Sequence, residues 1–401
     1  MIPVKIKNDV FSLRSNHWDR KLFDELVPLP DGTTYNAYLV KGSEKTALID
    51  TVYPPKTAEF IAALKKTGIE RLDYIVANHA EQDHSGSIPA VLELFPNAKV
   101  VTNARCWRMM TDVMPLDKSA FVEVKDGERI SLGGKTLQFI FLPWVHWPET
   151  MGTYLEEDRI VFPCDFLGSH LATGDLYAVD EARVEVAAKR YYAEIMMPYR
   201  PHARNALERI AGLAPHIIAP SHGPVHARPA FIMDLYRQWT SDEVKPQVVI
   251  PYVSMYQSTA AMVEYLTDRL MEKGLTVQVF NAVDLDSGAL SMALVDASTV
   301  VFASPAVLAG PHPSMAYVAT LVNALAPKTR YAAMIGSYGW GTTMPDVLME
   351  MLREFKAAFF EPVLAKGTPR EETFSALDEL AEAIAQANFS NAKAGEPAAL
   401  T

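Results

Sequence analysis

Two patterns of apolar and polar positions divide the chain. Up to about residue 240, short runs of β-favouring residues alternate with stretches whose apolar positions fall three and four apart. "YNAYLVKGSEKTALIDT" predicts two strands around a turn at Gly42-Ser43. "TAEFIAALKKTG" predicts a helix stopped by glycine. "LDYIVAN" reads as a buried strand, "IPAVLELFPNA" as a helix and "KVVTN" as another strand. "ERISLGGKTLQFIFLP" and "TYLEEDRIVFPCD" predict hairpins turning at Gly-Gly and at "EEDR". "HARNALERIAGLAP" is a helix, and "HIIAPSHG" a strand running into a loop. Hairpins with helices covering a sheet predict an αββα sandwich. Near "WTSDEVKPQ" the pattern changes. Strand and helix then alternate strictly, with strands in "VVIPYVS", "TVQVFNA", "STVVFASPA", "RYAAMIGSYG" and "FFEPVLAKG", and a last helix in "EETFSALDELAEAIAQA". That alternation predicts a doubly wound parallel sheet. The expected domains are residues 1–245 and 246–401, with a frayed tail "NAKAGEPAALT".

Composition changes this picture little. The 401 residues are 49% hydrophobic and 21% charged, which is ordinary for a globular chain of two or three domains. A net charge of −11 argues against a nucleic-acid surface. Cys106 and Cys164 form no C-x-x-C pattern, so a four-cysteine metal site within this chain is not expected. The charged N-terminus lacks the apolar run of a signal peptide, and no run of 18 apolar residues appears, so the expectation is a cytoplasmic chain with no membrane span.

The candidate chemistry begins at "ANHAEQDHSGS", where His79, Glu81, Asp83 and His84 crowd into six positions after a buried strand. Histidine nitrogen and carboxylate oxygen are the usual ligands of first-row metals. His146 in "LPWVHWPET", Asp165 in "VFPCDFLG" and His222 in "IAPSHGPV" each follow a strand, where one sheet edge can gather them. Seven such groups exceed the four to six ligands of one ion and suit two metals, with the isolated Asp165 as a reasonable bridge.

The order of these loops resembles the metallo-β-lactamase fold, whose zinc hydrolases carry H-x-H-x-D-H in the first loop. This chain reads H-x-E-x-D-H, and the extra carboxylate at Glu81 favours iron over zinc. With the lone His, Asp and His downstream, the pattern resembles the flavodiiron proteins over about residues 5–390. By that resemblance His79, Glu81 and His146 hold one iron, Asp83, His84 and His222 hold the other, and Asp165 bridges. In this family the histidine matching His84 is sometimes turned away from the metal. His226 competes with His222, but "PSHG" matches the family motif at His222. His170 is a candidate for orienting a ligand. His202 and His216 read as surface or cap residues. Tyr191 and Tyr192 match a family segment near the diiron pocket, and read equally well as core aromatics.

In the second half, "VVIPYVSMYQSTAAM" places Ser254, Ser258 and Thr259 between a strand and a helix. Hydroxyls and backbone N–H groups at a helix N-terminus make a phosphate site, and the lack of G-x-G-x-x-G points to a mononucleotide rather than NAD. Plain N-capping by Ser258 or Thr259 is the simpler alternative. "FASPAVLAGPHP" and "IGSYGWGT" follow the third and fourth strands of this half, where flavodoxin-like sheets bind FMN. Gly336, Gly339 and Gly341 would let backbone approach a flat ring, with Tyr338 or Trp340 packed near it. These loops resemble the flavin-binding loops of flavodiiron proteins. The implied contacts are Ser254, Met255, Tyr256, Gln257, Ser258 and Thr259, then Ser304, Pro305, Ala306, Val307, Leu308 and Ala309, then Ser337, Tyr338, Gly339 and Trp340. Ala306, Val307 and Leu308 depart from the Thr, Leu and Asn that the family often carries there, which leaves backbone contacts to hold the ring.

The resemblance therefore implies an α/β chain: a metallo-β-lactamase-like αββα sandwich followed by a flavodoxin-like doubly wound parallel sheet. It implies FMN, two iron ions in a non-haem diiron site, and reduction of O2 to water, of NO to N2O, or of both. A rubredoxin-like external donor is implied, since no such domain is attached. So is a head-to-tail homodimer (or a tetramer), which would set the FMN of one chain against the diiron site of the other. Two other classes compete: a metallo-hydrolase with an accessory flavodoxin-like domain, and a flavin carrier or sensor with a degenerate metal site. Glu81 argues against the first and the full set of seven ligands against the second.

Overall fold

The protein is described from a computed structural model covering residues 1–390; the expected frayed tail, residues 391–401, lies outside the described residues. The chain forms two compact units, Met1–Ser241 and the remainder from Asp242.

The first unit stacks two sheets. A seven-stranded sheet runs in the order Pro3–Lys7, Val10–His17, Thr33–Lys41, Thr46–Ile49, Tyr74–Val76, Lys99–Thr102 and Phe121–Glu123. Its first four strands pair antiparallel and the rest parallel. The second sheet orders Arg129–Ser131, Thr136–Phe141, Met151–Leu155, Ile160–Phe162 and Ile217–Ile218. Period-two alternation explains the layering, because successive side chains of a strand point to opposite faces. Along Thr33–Lys41, Tyr35, Ala37 and Leu39 join the core that includes Phe60 and Leu64 of the helix Thr57–Lys66, while Tyr38 and Val40 pack with Phe139, Leu155 and Phe162 of the second sheet. Val100 and Val101 divide in the same way. This is the αββα sandwich that the pattern predicts.

The second unit is a parallel sheet. Its strands are Lys245–Tyr252, Thr276–Asn281, Ala297–Val307, Tyr331–Tyr338 and a fifth in two pieces, Ala358–Phe359 and Val363–Lys366, both paired with the fourth. Numbered along the chain within this sheet, the order is 2-1-3-4-5. That order creates a switch point at the carboxyl end of the first and third strands, where such sheets bind ligands. No helix among the described residues is long and apolar enough to cross a membrane.

Candidate metal centre and flavin site

All seven metal-capable residues follow the carboxyl end of a strand. His79 comes just past Tyr74–Val76, His146 past Thr136–Phe141, Asp165 past Ile160–Phe162 and His222 past Ile217–Ile218. The stretch expected as a loop at 77–87 contains a short helical turn, Gln82–Ser85, which carries Asp83 and His84. Buried polar contacts fix it. Asp50 accepts from the backbone N–H and the side-chain amide of Asn78 at 2.8 and 2.9 Å. The Thr51 hydroxyl donates to the His84 carbonyl at 2.6 Å, and the Ser85 hydroxyl to the Ala80 carbonyl at 2.7 Å. The His222 loop is tied down by Asn36, whose amide donates to the Pro220 and Gly223 carbonyls at 2.8 Å each. Gly223 needs its freedom: its φ is +80°, and a Cβ there would lie 2.2 Å from the Ser169 hydroxyl.

The seven donors converge on two points. One group joins His79, Glu81, His146 and Asp165; the other joins Asp83, His84 and His222. Cys164 also comes within reach of His84 and Asp165, but burial pushes its thiol pKa well up and keeps it protonated. Asp165 faces both groups. Its Oδ1 lies 3.0 Å from His84 Nε2 and 3.2 Å from His222 Nε2, while its Oδ2 lies 3.5 Å from both His79 Nε2 and His146 Nε2. His79 and His146 both aim Nε2 at one oxygen of Glu81, each at 3.1 Å. Asp83 stands 3.2 Å from His84 Nε2 through one oxygen and 3.1 Å from His222 Nε2 through the other. His226 is elsewhere, its Nε2 donating to the Leu167 carbonyl at 3.2 Å, so the structure groups His222 and not His226 with the cluster. His202 and His216 are exposed.

These distances fit metal ions. An ion about 2.1 Å from each donor spaces neighbouring donors ~3.0 Å apart in an octahedron and ~3.4 Å in a tetrahedron. Both oxygens of Asp83, both oxygens of Asp165 and both nitrogens of His84 are buried without an aligned hydrogen-bond partner. Orphaned buried carboxylate oxygens are costly unless a cation satisfies them. Without metal, protons take that place. Burial pushes the imidazoles down, but Asp165 and Glu81 outweigh it and lift His146 to about 9, while Asp165 and Asp83 lift His222 to about 10. Burial likewise opposes charge on Asp165, yet His84, His146 and His222 hold it well below the usual carboxylate range.

Several partners were not visible in sequence. His79 Nδ1 donates to Glu149 Oε1 at 2.7 Å, and His222 Nδ1 to the Thr34 carbonyl at 2.6 Å. Only the acid three residues beyond His146 in "HWPET" hinted at the first. His170 packs its ring edge-on against His222, centroids 4.9 Å apart, with its Nδ1 2.9 Å from the Thr33 hydroxyl. It touches His222 by ring packing alone, with no hydrogen bond to it. Burial, then His222, keep His170 well below its ordinary pKa and hence neutral. Tyr191 packs edge-on against His170 at 4.8 Å, whereas the Tyr192 hydroxyl donates to the Trp239 carbonyl at 3.1 Å, a core role. A cavity of about 670 Å³ opens onto Glu81 and Asp83 and is lined also by Arg20, Asp24, Tyr53 and Trp147.

In the second unit, Ser254, Met255, Tyr256, Ser258, Thr259, Pro305, Ala306, Ser337, Tyr338, Gly339 and Trp340 line one cavity of about 560 Å³, within the range of small-molecule sites. Gly367 and Thr368 complete it from the end of the fifth strand, which the sequence did not suggest. Tyr256 and Trp340 are each more than four-fifths exposed at its mouth. Gln257, Ser304, Val307, Leu308 and Ala309 do not line the cavity. Gln257 adopts φ +67° before the helix Ser258–Glu272, Ser304 is buried and accepts the His312 N–H at 3.1 Å, and Leu308 points outward, 92% exposed. The simpler alternative, N-capping by Ser258 or Thr259, is not what the helix shows: the Ser254 hydroxyl takes the Ala260 N–H at 3.1 Å, and Thr259 pairs with Ser337 at 3.1 Å. Gly336 serves the sheet, since a Cβ there would sit 1.9 Å from the Ser304 carbonyl oxygen.

Comparison with known proteins agrees with this fold. The model of a family described as "ODP family beta lactamase" matches residues 33–223. The chain is 34% identical to a nitric oxide reductase of Moorella thermoacetica, over 96% of this chain and 98% of that one. The solved rubredoxin oxygen:oxidoreductase of Desulfovibrio gigas superposes with a TM-score of 0.93 at 28% identity, covering 98% of this chain and 100% of that one. The flavodiiron protein of Giardia intestinalis gives 0.89 at 26%, covering 97% and 98%. The chain belongs to the flavodiiron proteins. This family carries FMN and a non-haem diiron site. The two donor groups and the cavity at the switch point fit both groups of cofactor atoms. The hydrolase alternative is not favoured.

Proposed function

We propose that this flavodiiron protein takes electrons from a small external donor such as rubredoxin and reduces O2 to water, NO to N2O, or both. Four electrons and four protons convert one O2 to two waters; two of each convert two NO to N2O and water. The observation that carries the reading is the two-sided placement of Asp165, with one oxygen toward each donor group. When bound, the iron pair supplies an open binding position and electrons for a diatomic molecule, and FMN stores electrons on their way from the donor. His79, Glu81 and His146 would hold one iron, and Asp83, His84 and His222 the other. Glu81 and His146 keep 13% and 14% of their side chains exposed, against 4% or less for Asp83, His84 and His222, so the substrate approaches from the Glu81 side of the cavity. Trp147 packs edge-on against His79 at 4.9 Å and lines the same cavity. Ser254, Ser258 and Thr259 would take the flavin phosphate at the start of a fifteen-residue helix, whose N-terminus favours anions.

The names of the Moorella and Desulfovibrio relatives support NO and O2 as substrates and a rubredoxin as donor. A head-to-tail homodimer, or a tetramer built from it, fits the exposed Trp18, Leu26 and Val113 of the first unit and Tyr256, Leu308 and Trp340 of the second. The deciding experiment loads the protein with iron and FMN, reduces it anaerobically and mixes it with O2 or NO in a stopped flow. Rapid flavin and iron reoxidation by at least one gas is expected. Slow reoxidation by both would overturn the reductase reading.

A further inference from the structure

The two donor groups are matched in type. Each offers two imidazoles and one carboxylate, and Asp165 gives one oxygen to each. The donors themselves differ little, in the one-oxygen contact of Glu81 against the two-oxygen contact of Asp83, and their surroundings differ more. The far nitrogens supply that difference. His222 Nδ1 donates to a neutral carbonyl, that of Thr34, and His84 Nδ1 has no partner. His79 Nδ1 instead donates to Glu149, among the described residues the one carboxylate bonded to the far nitrogen of these imidazoles.

Glu149 is locked in place. Its side chain is fully buried, and Oε1 also accepts the Ala80 N–H at 3.0 Å. Its carbonyl accepts from the Asn103 amide at 2.7 Å, and Asn103 caps the helix Ala104–Val113 through the N–H groups of Arg105 and Cys106. Its Oε2 is buried with no partner. A glutamine would accept the same Nδ1 proton without the cost of burying a charge. The charge therefore has a use beyond geometry. A carboxylate on the far nitrogen of a ligating imidazole fixes its tautomer and makes it a stronger donor.

We propose that Glu149 is a positioning residue which, through His79, makes the His79–Glu81–His146 position the tighter of the two for iron and the first to give up an electron. This rests on the diiron reading above. The test strips the full-length protein of metal, titrates it anaerobically with ferrous iron enriched in 57Fe, and removes one electron per pair with ferricyanide, which is reduced to ferrocyanide. Wild type, Glu149→Gln and Glu149→Asp are compared by iron affinity, Mössbauer spectrum and melting of the metal-free form.

In E149Q one of the two positions loses affinity by about ten- to hundredfold, and the ferric doublet of the half-oxidised sample changes or moves to the other iron. The second position keeps its affinity and serves as the control for folding, while the metal-free protein melts lower than wild type because the buried Glu149–His79 pair is broken. E149D retains the charge at a longer contact and falls between the two. If E149Q fails to fold, E149D carries the test alone, with a weakened first position expected. Wild-type affinities and doublets in the folded variants would overturn the proposal. A wild type that takes up fewer than two irons would overturn the diiron reading itself.

Discussion

At the scale of single residues, the chemistry rests on donors that leave no satisfactory arrangement without a cation. Asp165 is the sharpest case. Asp165→Asn replaces one oxygen with an amide nitrogen that does not ligate, so one donor group loses its shared member. Iron content is expected to fall from two per chain toward one. Reoxidation should slow by roughly a hundredfold or more, at least the loss seen when mere outer partners of a metal site are removed; retention of two irons and a wild-type rate would refute the bridge. Glu81→His recreates the H-x-H-x-D-H order of zinc hydrolases and removes a hard ligand. Elemental analysis of that variant should show zinc replacing iron, and an unchanged iron-to-zinc ratio would count against the role given to Glu81. The candidate donors that the structure brings together were legible in sequence because residue type and order carry their chemistry. Their supports were not. Glu149 is 70 positions from His79 and Thr34 is 188 from His222, and no local pattern links such pairs. The Gln257, Ser304 and Val307–Ala309 expectations rested on position within a loop, and a side chain's direction is set by φ values such as the +67° of Gln257 and +48° of Leu308.

At the scale of elements, alternation gave the strands whose faces are cleanly divided, as in Thr33–Lys41. It failed where polar residues are buried. Val10–His17 does not read as a strand in sequence because Ser12 and Ser15 are buried beside Leu13, which blurs its period. The helix Ala104–Val113 carries its Asn103 cap but buries only Cys106, Trp107 and Met110, too few to mark a face. Pro362 explains why the fifth strand of the second unit is broken, since proline cannot donate to the ladder. Close strand packing yields a prediction of its own. Gly336→Ala would drive a methyl into the Ser304 carbonyl oxygen across the join of the third and fourth strands. The expected cost is about 3 kcal/mol, or a melting temperature lower by roughly 10 °C, with weakened FMN retention. A variant that melts like wild type would mean the strands can part there without cost.

At the scale of the whole molecule, the fold class was readable because strict strand–helix alternation leaves few topologies, and the 2-1-3-4-5 order is one of them. What the sequence did not convey is how far metal and protons substitute for one another. In the metal-free protein His146 and His222 titrate near 9 and 10, above the ~6.5 of an unfolded chain. A raised folded-state pKa contributes stability that is complete below about pH 6.5 and is lost as pH climbs through 9 to 10. The metal-free form should thus lose melting temperature between pH 6.5 and 10, while the iron-loaded form, whose imidazoles are already deprotonated, should not share that loss. Differential scanning fluorimetry of both forms across that range tests it, and parallel profiles would contradict it. The central claim, two irons held by seven donors with Asp165 between them, is tested most directly by anomalous diffraction at the iron edge from crystals of the iron-loaded protein. Two iron peaks per chain are expected, one among His79, Glu81 and His146 and one among Asp83, His84 and His222, with an oxygen of Asp165 on each. A single peak, or peaks that appear at the zinc edge instead, would contradict the account.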